Sequence, residues 1–332
     1  MQRIGVIGGG AWGTSLALLA RRAGRAVTLW AREPEVVEGI NRDHRNQTYL
    51  PGVALDPEIR AVSDPRAAIC ADAVILAVPA QHLRALLSTV AGHWPAGVPA
   101  VICAKGIERG TCALMSEIVE EALPQAPPVV LSGPSFAAEV ARGLPAAVVL
   151  AAAQPHLREV LRPALSTPFF RIYSSDDVVG AEIGGAVKNV LAIACGIVRG
   201  RRMGDNARAA LITRGLAETA RLAAAKGARA ETLMGLSGIG DLVLTCSAMR
   251  SRNFSLGAAL GRGIPLPRII EARISVAEGV DSAEAVCALA RRLDVDMPIC
   301  RAVDAVLNRG ADIDVTIAGL LARPPGAEAA GG

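Results

Sequence analysis

Lysine is scarce in this chain: of 35 basic residues only Lys105, Lys188 and Lys226 are lysines, two of them in short, glycine-flanked, uncharged surroundings. Arginine keeps its proton near neutral pH, so a reaction that needs a basic side chain able to cycle a proton favours lysine in an arginine-heavy chain. Lys188, within Gly184-Gly185-Ala186-Val187-Lys188-Asn189, is the leading candidate for an acid/base group. All four histidines, His44, His82, His93 and His156, precede the half of the chain that holds it. Asp241, in Gly238-Ile239-Gly240-Asp241-Leu242, could orient Lys188, hydrogen-bond a substrate, or cap a helix. Ser251-Arg252-Asn253 offers a hydroxyl, a guanidinium and an amide at a helix start, which suits a phosphate dianion and equally an ordinary helix cap.

A second constellation lies at the N-terminus, where Gly8-Gly9-Gly10-Ala11-Trp12-Gly13 matches G-x-G-x-x-G between an apolar run and a helical pattern. The first glycine permits the tight turn, the second lets a pyrophosphate reach the backbone, and the third lets helix and strand pack closely. The phosphate charge then rests on the helix N-terminus, which predicts a dinucleotide site. At the end of the second apolar run stands Trp30-Ala31-Arg32-Glu33. Arg32 suits a 2′-phosphate and favours NADP(H), whereas Glu33 could take the ribose hydroxyl of NAD(H), so dual use stays open. Val78-Pro79, Ala104-Lys105-Gly106 and Ser132-Gly133-Pro134-Ser135-Phe136 follow later apolar runs and should face the nicotinamide, with Lys105 adding positive charge near the substrate.

These groups need a frame. Apolar runs at Ile4–Ile7, Val27–Trp30, Ala73–Val78, Val101–Ala104 and Val129–Leu131 alternate with helical patterns at Thr14–Arg22, His82–Val90 and Cys112–Leu123, which predicts a parallel, doubly wound α/β sheet. Ala146–Leu150 and Phe169–Tyr173 continue it, around a helix near His156–Leu165. After Ser175 the pattern becomes helix upon helix: Val178–Val198, Ala207–Ala225, Glu231–Cys246, Ser255–Leu260, Ser282–Arg292, Pro298–Asn308 and Asp314–Ala322. The expected organisation is a Rossmann dinucleotide domain over 1–175, an all-helical substrate and catalytic domain over 176–323, and a disordered tail over 324–332.

Bulk properties exclude other classes. A net charge of +4 and 3% aromatic residues argue against nucleic acid binding and fit a small anionic ligand. Seven cysteines without CxxC or metal-ligand spacing read as buried apolar residues in a reducing compartment, with no metal expected. The glycines at 8–10 break the apolar stretch that begins after Arg3, so it is not a secretory signal. The most apolar helical region, Ala181–Val198, carries Glu182 and Lys188, and no membrane span is expected. The sum is a soluble cytoplasmic protein, with a homodimer the commonest assembly for such enzymes.

The ordered blocks together resemble the NAD(P)-dependent glycerol-3-phosphate dehydrogenase family of bacterial type, from Ile4 to about Arg323. They are Gly8-Gly9-Gly10-Ala11-Trp12-Gly13-Thr14, Ala104-Lys105-Gly106, Leu131-Ser132-Gly133-Pro134-Ser135-Phe136-Ala137, Gly185-Ala186-Val187-Lys188-Asn189, Ala209-Ala210-Leu211-Ile212-Thr213-Arg214-Gly215, Gly238-Ile239-Gly240-Asp241-Leu242 and Ser251-Arg252-Asn253. The resemblance implies a Rossmann domain followed by a 6-phosphogluconate-dehydrogenase-like helical domain. It implies interconversion of dihydroxyacetone phosphate and sn-glycerol 3-phosphate, run toward the latter for phospholipid synthesis. Lys188 matches the family's proton-transferring lysine. Lys105, Gly133, Ser135, Asp241, Ser251, Arg252 and Asn253 match substrate-contacting positions, and Trp12, Arg32, Lys105, Ala137, Arg252, Val276 and Glu278 cofactor-contacting ones. Two departures stand out. Arg199-Gly200-Arg201-Arg202-Met203-Gly204 is richer in arginine than the family's usual loop, and the histidine often found after the second strand is replaced by Arg32 or displaced. The competing readings are a β-hydroxyacid dehydrogenase or ketopantoate reductase, which would take a carboxylate, and a non-catalytic NADPH sensor, which would not need Lys188, Asp241 and Ser251-Arg252-Asn253 together.

Overall fold

The computed structural model describes residues 1–272 and 277–324. Val276 and the tail beyond Pro324 therefore lie outside the described residues.

The first half alternates as its apolar runs require: β1 (Arg3–Ile7), α1 (Ala11–Arg22), β2 (Ala26–Trp30), α2 (Pro34–Asp43), β3 (Ile59–Val62), α3 (Pro65–Ile69), β4 (Ala73–Leu76), α4 (Leu83–Val90), β5 (Ala100–Ile102), α5 (Met115–Ala122), β6 (Pro128–Ser132), α6 (Ala137–Ala141), β7 (Ala146–Ala151), α7 (Pro155–Leu165) and β8 (Phe170–Ser175). Among the described residues these strands form one sheet in the order β3-β2-β1-β4-β5-β6-β7-β8. The order reverses between β1 and β4, and ligands of such sheets bind outside the strand C-termini at that point.

The structure departs from the sequence expectations at several points. The sheet is not wholly parallel, because β7 runs antiparallel to β6. The link between them contains only the five-residue α6, held against α1 by Arg22, which donates to the carbonyls of Val140 and Ala141. Five helical residues rise about 7.5 Å, less than the roughly 16 Å needed to return along β6 and re-enter in parallel. β3 was not expected, since Ile59-Arg60-Ala61-Val62 is interrupted by an exposed arginine and lacks the continuous apolar run that marks β4. The helix expected over Glu231–Cys246 is broken into α10 (Ala230–Leu233), a π-helical turn (Leu236–Gly240) and α11 (Asp241–Ser247). The break falls at Gly238, whose φ of −99° and ψ of −105° are not helical.

The helical half continues with α8 (Val178–Gly200), α9 (Asp205–Ala225), α12 (Arg252–Gly261), α13 (Leu266–Glu271), α14 (Gly279–Arg292), α15 (Pro298–Asn308) and α16 (Ile313–Leu321). At 23 residues α8 is, contrary to the sequence expectation, long and apolar enough to cross a bilayer. Its apolar window is entirely buried inside the protein, where it forms the axis of the second core. Glycines allow the other helices to reach it. A Cβ on Gly257 of α12 would lie 2.0 Å from the Ile193 carbonyl oxygen, and one on Gly196 of α8 would lie 2.2 Å from that of Phe254. The halves are also joined through the segment after β5, whose Ile107, Cys112 and Leu114 are buried in the helical core. Arg109 pairs there with Asp281 and Glu284.

Candidate active site

Lys188 and Asp241 are delivered by different helices of the second half. Lys188 lies in the wholly buried stretch of α8, one turn after Gly184 and Gly185. A Cβ on Gly184 would sit 2.5 Å from the Ser237 carbonyl oxygen, and one on Gly185 3.1 Å from Ser132 Oγ. The glycines before the lysine thus let α8 approach both the π-helical turn and the C-terminal end of β6. The turn in turn presents Asp241 as the first residue of α11.

The Asp241 carboxylate, 2% exposed, bridges two lysines. Lys188 Nζ donates to its Oδ1 at 2.7 Å and to Thr245 Oγ1 at 3.0 Å. Lys105 Nζ donates to its Oδ2 at 2.7 Å and to the Gly133 carbonyl at 3.1 Å. That carbonyl also accepts from Ser135 Oγ at 3.0 Å. Gly133 has a φ of +140°, and a Cβ there would meet Val148 Cα at 2.9 Å, so the turn that aims this carbonyl needs glycine.

The electrostatics follow from burial and neighbours. Burial lowers the Lys188 ammonium to about 8, the Asp241 carboxylate partly opposing it and Lys105 adding to it. Burial would raise Asp241, but the two ammonium groups outweigh it and hold it below the usual carboxylate range. An ammonium with its proton poised near neutrality can act as donor and, once neutral, as acceptor.

Of the remaining expected substrate positions, Asn253 is joined to this core by hydrogen bonds. Asn253 Nδ2 donates to Asn189 Oδ1 at 2.9 Å, Asn189 Nδ2 donates to the Lys105 carbonyl at 3.2 Å, and Asn253 Oδ1 accepts from Gly279 N at 3.0 Å. Both amides thereby tie α8, α12 and α14 to the Lys105 backbone. Ser251 caps α12, its Oγ accepting from Phe254 N at 3.2 Å, so the helix-cap alternative applies to it. Arg252 is exposed at the start of the same helix, close enough for its charge to act on Glu278. Burial raises Glu278 despite that, and Glu278 Oε1 accepts from Ala80 N at 3.3 Å across the two halves.

The glycine turn after β1 has the shape a pyrophosphate requires. Gly8 has a φ of +125°, and a Cβ there would meet the Ala77 carbonyl oxygen at 2.6 Å. One on Gly13 would strike the Gly8 carbonyl oxygen at 1.9 Å, whereas one on Gly10 meets nothing within 4 Å. Gly10 thus marks an open cradle in front of α1, whose N-terminus has no side-chain cap and no acidic residue in its first turn, Ala11-Trp12-Gly13. Ala137, at the start of α6, faces α1 and accepts from Ser15 Oγ at 2.8 Å. At the end of β2 the Arg32 side chain is 76% exposed and donates to Glu33 Oε1 at 2.7 Å. These residues fit a dinucleotide.

Sequence reasoning missed Thr245 and gave Asn189 no role. Thr245 stands four residues after Asp241 on one face of α11, and that spacing was the available signal.

Known proteins share both halves of this arrangement. A profile described as the N-terminus of NAD-dependent glycerol-3-phosphate dehydrogenase matches residues 3–158, and one for the C-terminus of the same family matches residues 177–318. The chain is 59% identical over 325 residues to glycerol-3-phosphate dehydrogenase [NAD(P)+] of Rhodospirillum rubrum, covering 98% of this chain and 93% of that protein. It is 56% identical to the Caulobacter vibrioides protein of the same name, covering 97% and 98%. Its fold is similar to the crystal structure of the Coxiella burnetii glycerol-3-phosphate dehydrogenase, with a TM-score of 0.93 and 38% identity over 97% of this chain and 99% of that one.

Proposed function

The chain belongs to the NAD-dependent glycerol-3-phosphate dehydrogenase family, and from that premise we propose that Lys188 is its proton-transferring group, held ready by Asp241 and Thr245. The reaction is the NAD(P)H-dependent reduction of dihydroxyacetone phosphate to sn-glycerol 3-phosphate, reversible and directed to glycerophospholipid synthesis. Matches to both halves of the family disfavour a hydroxyacid dehydrogenase, a ketopantoate reductase and a non-catalytic sensor.

When bound, the reduced nicotinamide supplies the hydride. The chain supplies the proton and the positive charge. As hydride reaches the carbonyl carbon, negative charge develops on the oxygen, and an ammonium there stabilises that charge and gives up a proton. The observation that carries this reading is the buried Lys188–Asp241–Lys105 bridge, which orients both ammonium groups while burial brings Lys188 to about 8. Lys105, Gly133 and Ser135 line the same cluster and are assigned to the substrate, as are Ser251, Arg252 and Asn253 at the start of α12. The glycine turn, Trp12, Arg32, Ala137 and Glu278 are assigned to the dinucleotide, and the exposed Arg32 supports a preference for NADP(H) over NAD(H). The proposal includes a division of labour between residues 1–175 and 176–323, a cytoplasmic site of action supported by the unpaired cysteines, and a homodimer.

The test is oxidation of NADPH and of NADH, followed by nicotinamide absorbance, with dihydroxyacetone phosphate as substrate and ketopantoate as its competitor. Turnover of the phosphate ketone alone supports the assignment; turnover of ketopantoate alone removes it.

A further inference from the structure

The end of β2 presents a basic and an acidic residue in succession, and the fold brings a third side chain to them. Glu33 stands where an acidic residue accepts the ribose hydroxyls of NAD(H). Its Oε1 accepts from Arg32 Nη2 at 2.7 Å and Nε at 3.1 Å, and also from Tyr49 Oη at 3.2 Å. Tyr49 is anchored there. Asn46, 1% exposed, donates from Nδ2 to the Gly9 carbonyl at 2.8 Å and to Thr14 Oγ1 at 2.9 Å, while its Oδ1 accepts from Tyr49 N at 3.1 Å. The segment carrying Tyr49 is therefore pinned to the glycine turn itself. Burial and the adjacent Glu33 carboxylate push the Tyr49 phenol up, so it remains a donor.

The two donors to Glu33 differ in what releasing them costs. The Arg32 side chain lies mostly in water, and an exposed ion pair of that kind contributes little, so Arg32 can turn to a ligand phosphate readily. Glu33, mostly buried, would then face the same phosphate as a carboxylate stripped of its guanidinium. Like charges at that spacing repel, and once Arg32 turns away the remaining side-chain donor to this carboxylate among the described residues is the Tyr49 hydroxyl, beside the Glu33 backbone N–H.

We propose that Tyr49 is a specificity-determining residue of the dinucleotide site: it keeps the Glu33 carboxylate hydrogen-bonded while Arg32 engages the 2′-phosphate, and so permits NADP(H) beside an acidic residue that would otherwise select NAD(H). This rests on the dinucleotide reading above. Tyr49 acts through Glu33, so its effect must vanish when Glu33 is neutral.

The experiment is a double-mutant cycle read by isothermal titration of NADPH and of NADH into wild type, Tyr49→Phe, Glu33→Gln and the double variant. Tyr49→Phe is expected to weaken NADPH about tenfold, the factor carried by one hydrogen bond to a charged group, with NADH changed less than about twofold. In the Glu33→Gln background the same substitution should change neither Kd by more than about twofold. Equal weakening of both dinucleotides, or an NADPH loss that persists in the Glu33→Gln background, overturns the proposal. Glu33→Gln alone should tighten NADPH relative to NADH, which keeps the proposal open to refutation even if Tyr49→Phe folds poorly. Equal wild-type affinities would remove the NADP(H) preference but not the cycle, because the effect of Tyr49 through Glu33 is read from the change in the NADPH-to-NADH ratio.

Discussion

Replacing Asp241 by asparagine removes the negative charge that joins two ammonium groups 2.7 Å from its oxygens, at a position 2% exposed. Breaking a buried ion pair by deleting one partner costs about 3–5 kcal/mol, because the surviving charge stays desolvated. Lys188 can relieve that cost by releasing its proton. With its ammonium already lowered to about 8, neutralising it at pH 7 costs only about 1.4 kcal/mol. The variant should therefore fold and carry a neutral Lys188. Wild type holds roughly nine-tenths of this lysine charged at pH 7, and losing about 3 kcal/mol of attraction lowers the charged-to-neutral ratio by a factor of ~150, leaving under about a tenth charged. With Lys188 in its proposed role reduction uses the ammonium, so kcat/KM at pH 7 should fall at least about tenfold from protonation alone, and further through lost orientation. The assay is kcat/KM against pH in both directions. In wild type, ketone reduction should decline as pH rises through about 8, while glycerol phosphate oxidation, which would use the neutral amine, should rise through the same range. In Asp241→Asn both limbs should move to lower pH. Limbs that stay near 8 with only the amplitude reduced would refute the claim that Asp241 sets the charge on Lys188.

Lys188→Met should lower kcat by about three orders of magnitude or more with dinucleotide Kd unchanged within about twofold, measured by steady-state kinetics and titration calorimetry. Gly10→Ala should leave thermal stability near wild type and weaken dinucleotide binding at least about tenfold, since its Cβ enters the open cradle; Gly13→Ala should destabilise the fold, since its Cβ meets the Gly8 carbonyl oxygen. Glu182, buried on α8 and accepting from Ser116 N at 2.8 Å and Ser116 Oγ at 2.5 Å, is raised to about 7 by burial. Its folded value lies above its unfolded one, so the native state binds the extra proton between about 4.5 and 7, and stability from this group is present at low pH and lost as pH rises through 7. Glu182→Gln should abolish that slope, about 3 kcal/mol at most, read as denaturant midpoints at pH 5 and pH 8.

Much of this protein is legible in its residues alone. Alternation of apolar runs and helical stretches identified the α/β half, and glycine positions between Ile7 and Thr14 identified its ligand, because a strand, a tight turn and a helix N-terminus are local features that neighbouring residues dictate. The helical half was readable for the same reason, and the scarcity of lysine pointed to Lys105 and Lys188 one by one. What no stretch of chain could state is that the two lysines share a carboxylate. Residues 105, 188 and 241 come from a loop after β5, from α8 and from the helix behind a broken π turn, and they meet because Gly184 and Gly185 let α8 press against Ser237 and Ser132.

The same distinction explains the misreadings. The direction of β7 depends on how far α6 can carry the chain, and the break at Gly238 on a backbone angle, neither of which alters hydrophobic periodicity. Tyr49 stands in ordinary sequence surroundings, and it acquires its partner only because Asn46 fastens it to the glycine turn. Local chemistry thus determined which elements and which kinds of group the chain would have. Which charges face each other, and so how readily Lys188 parts with its proton, was decided by burial and long-range packing, since pair attraction and desolvation depend on distances between segments far apart in the chain.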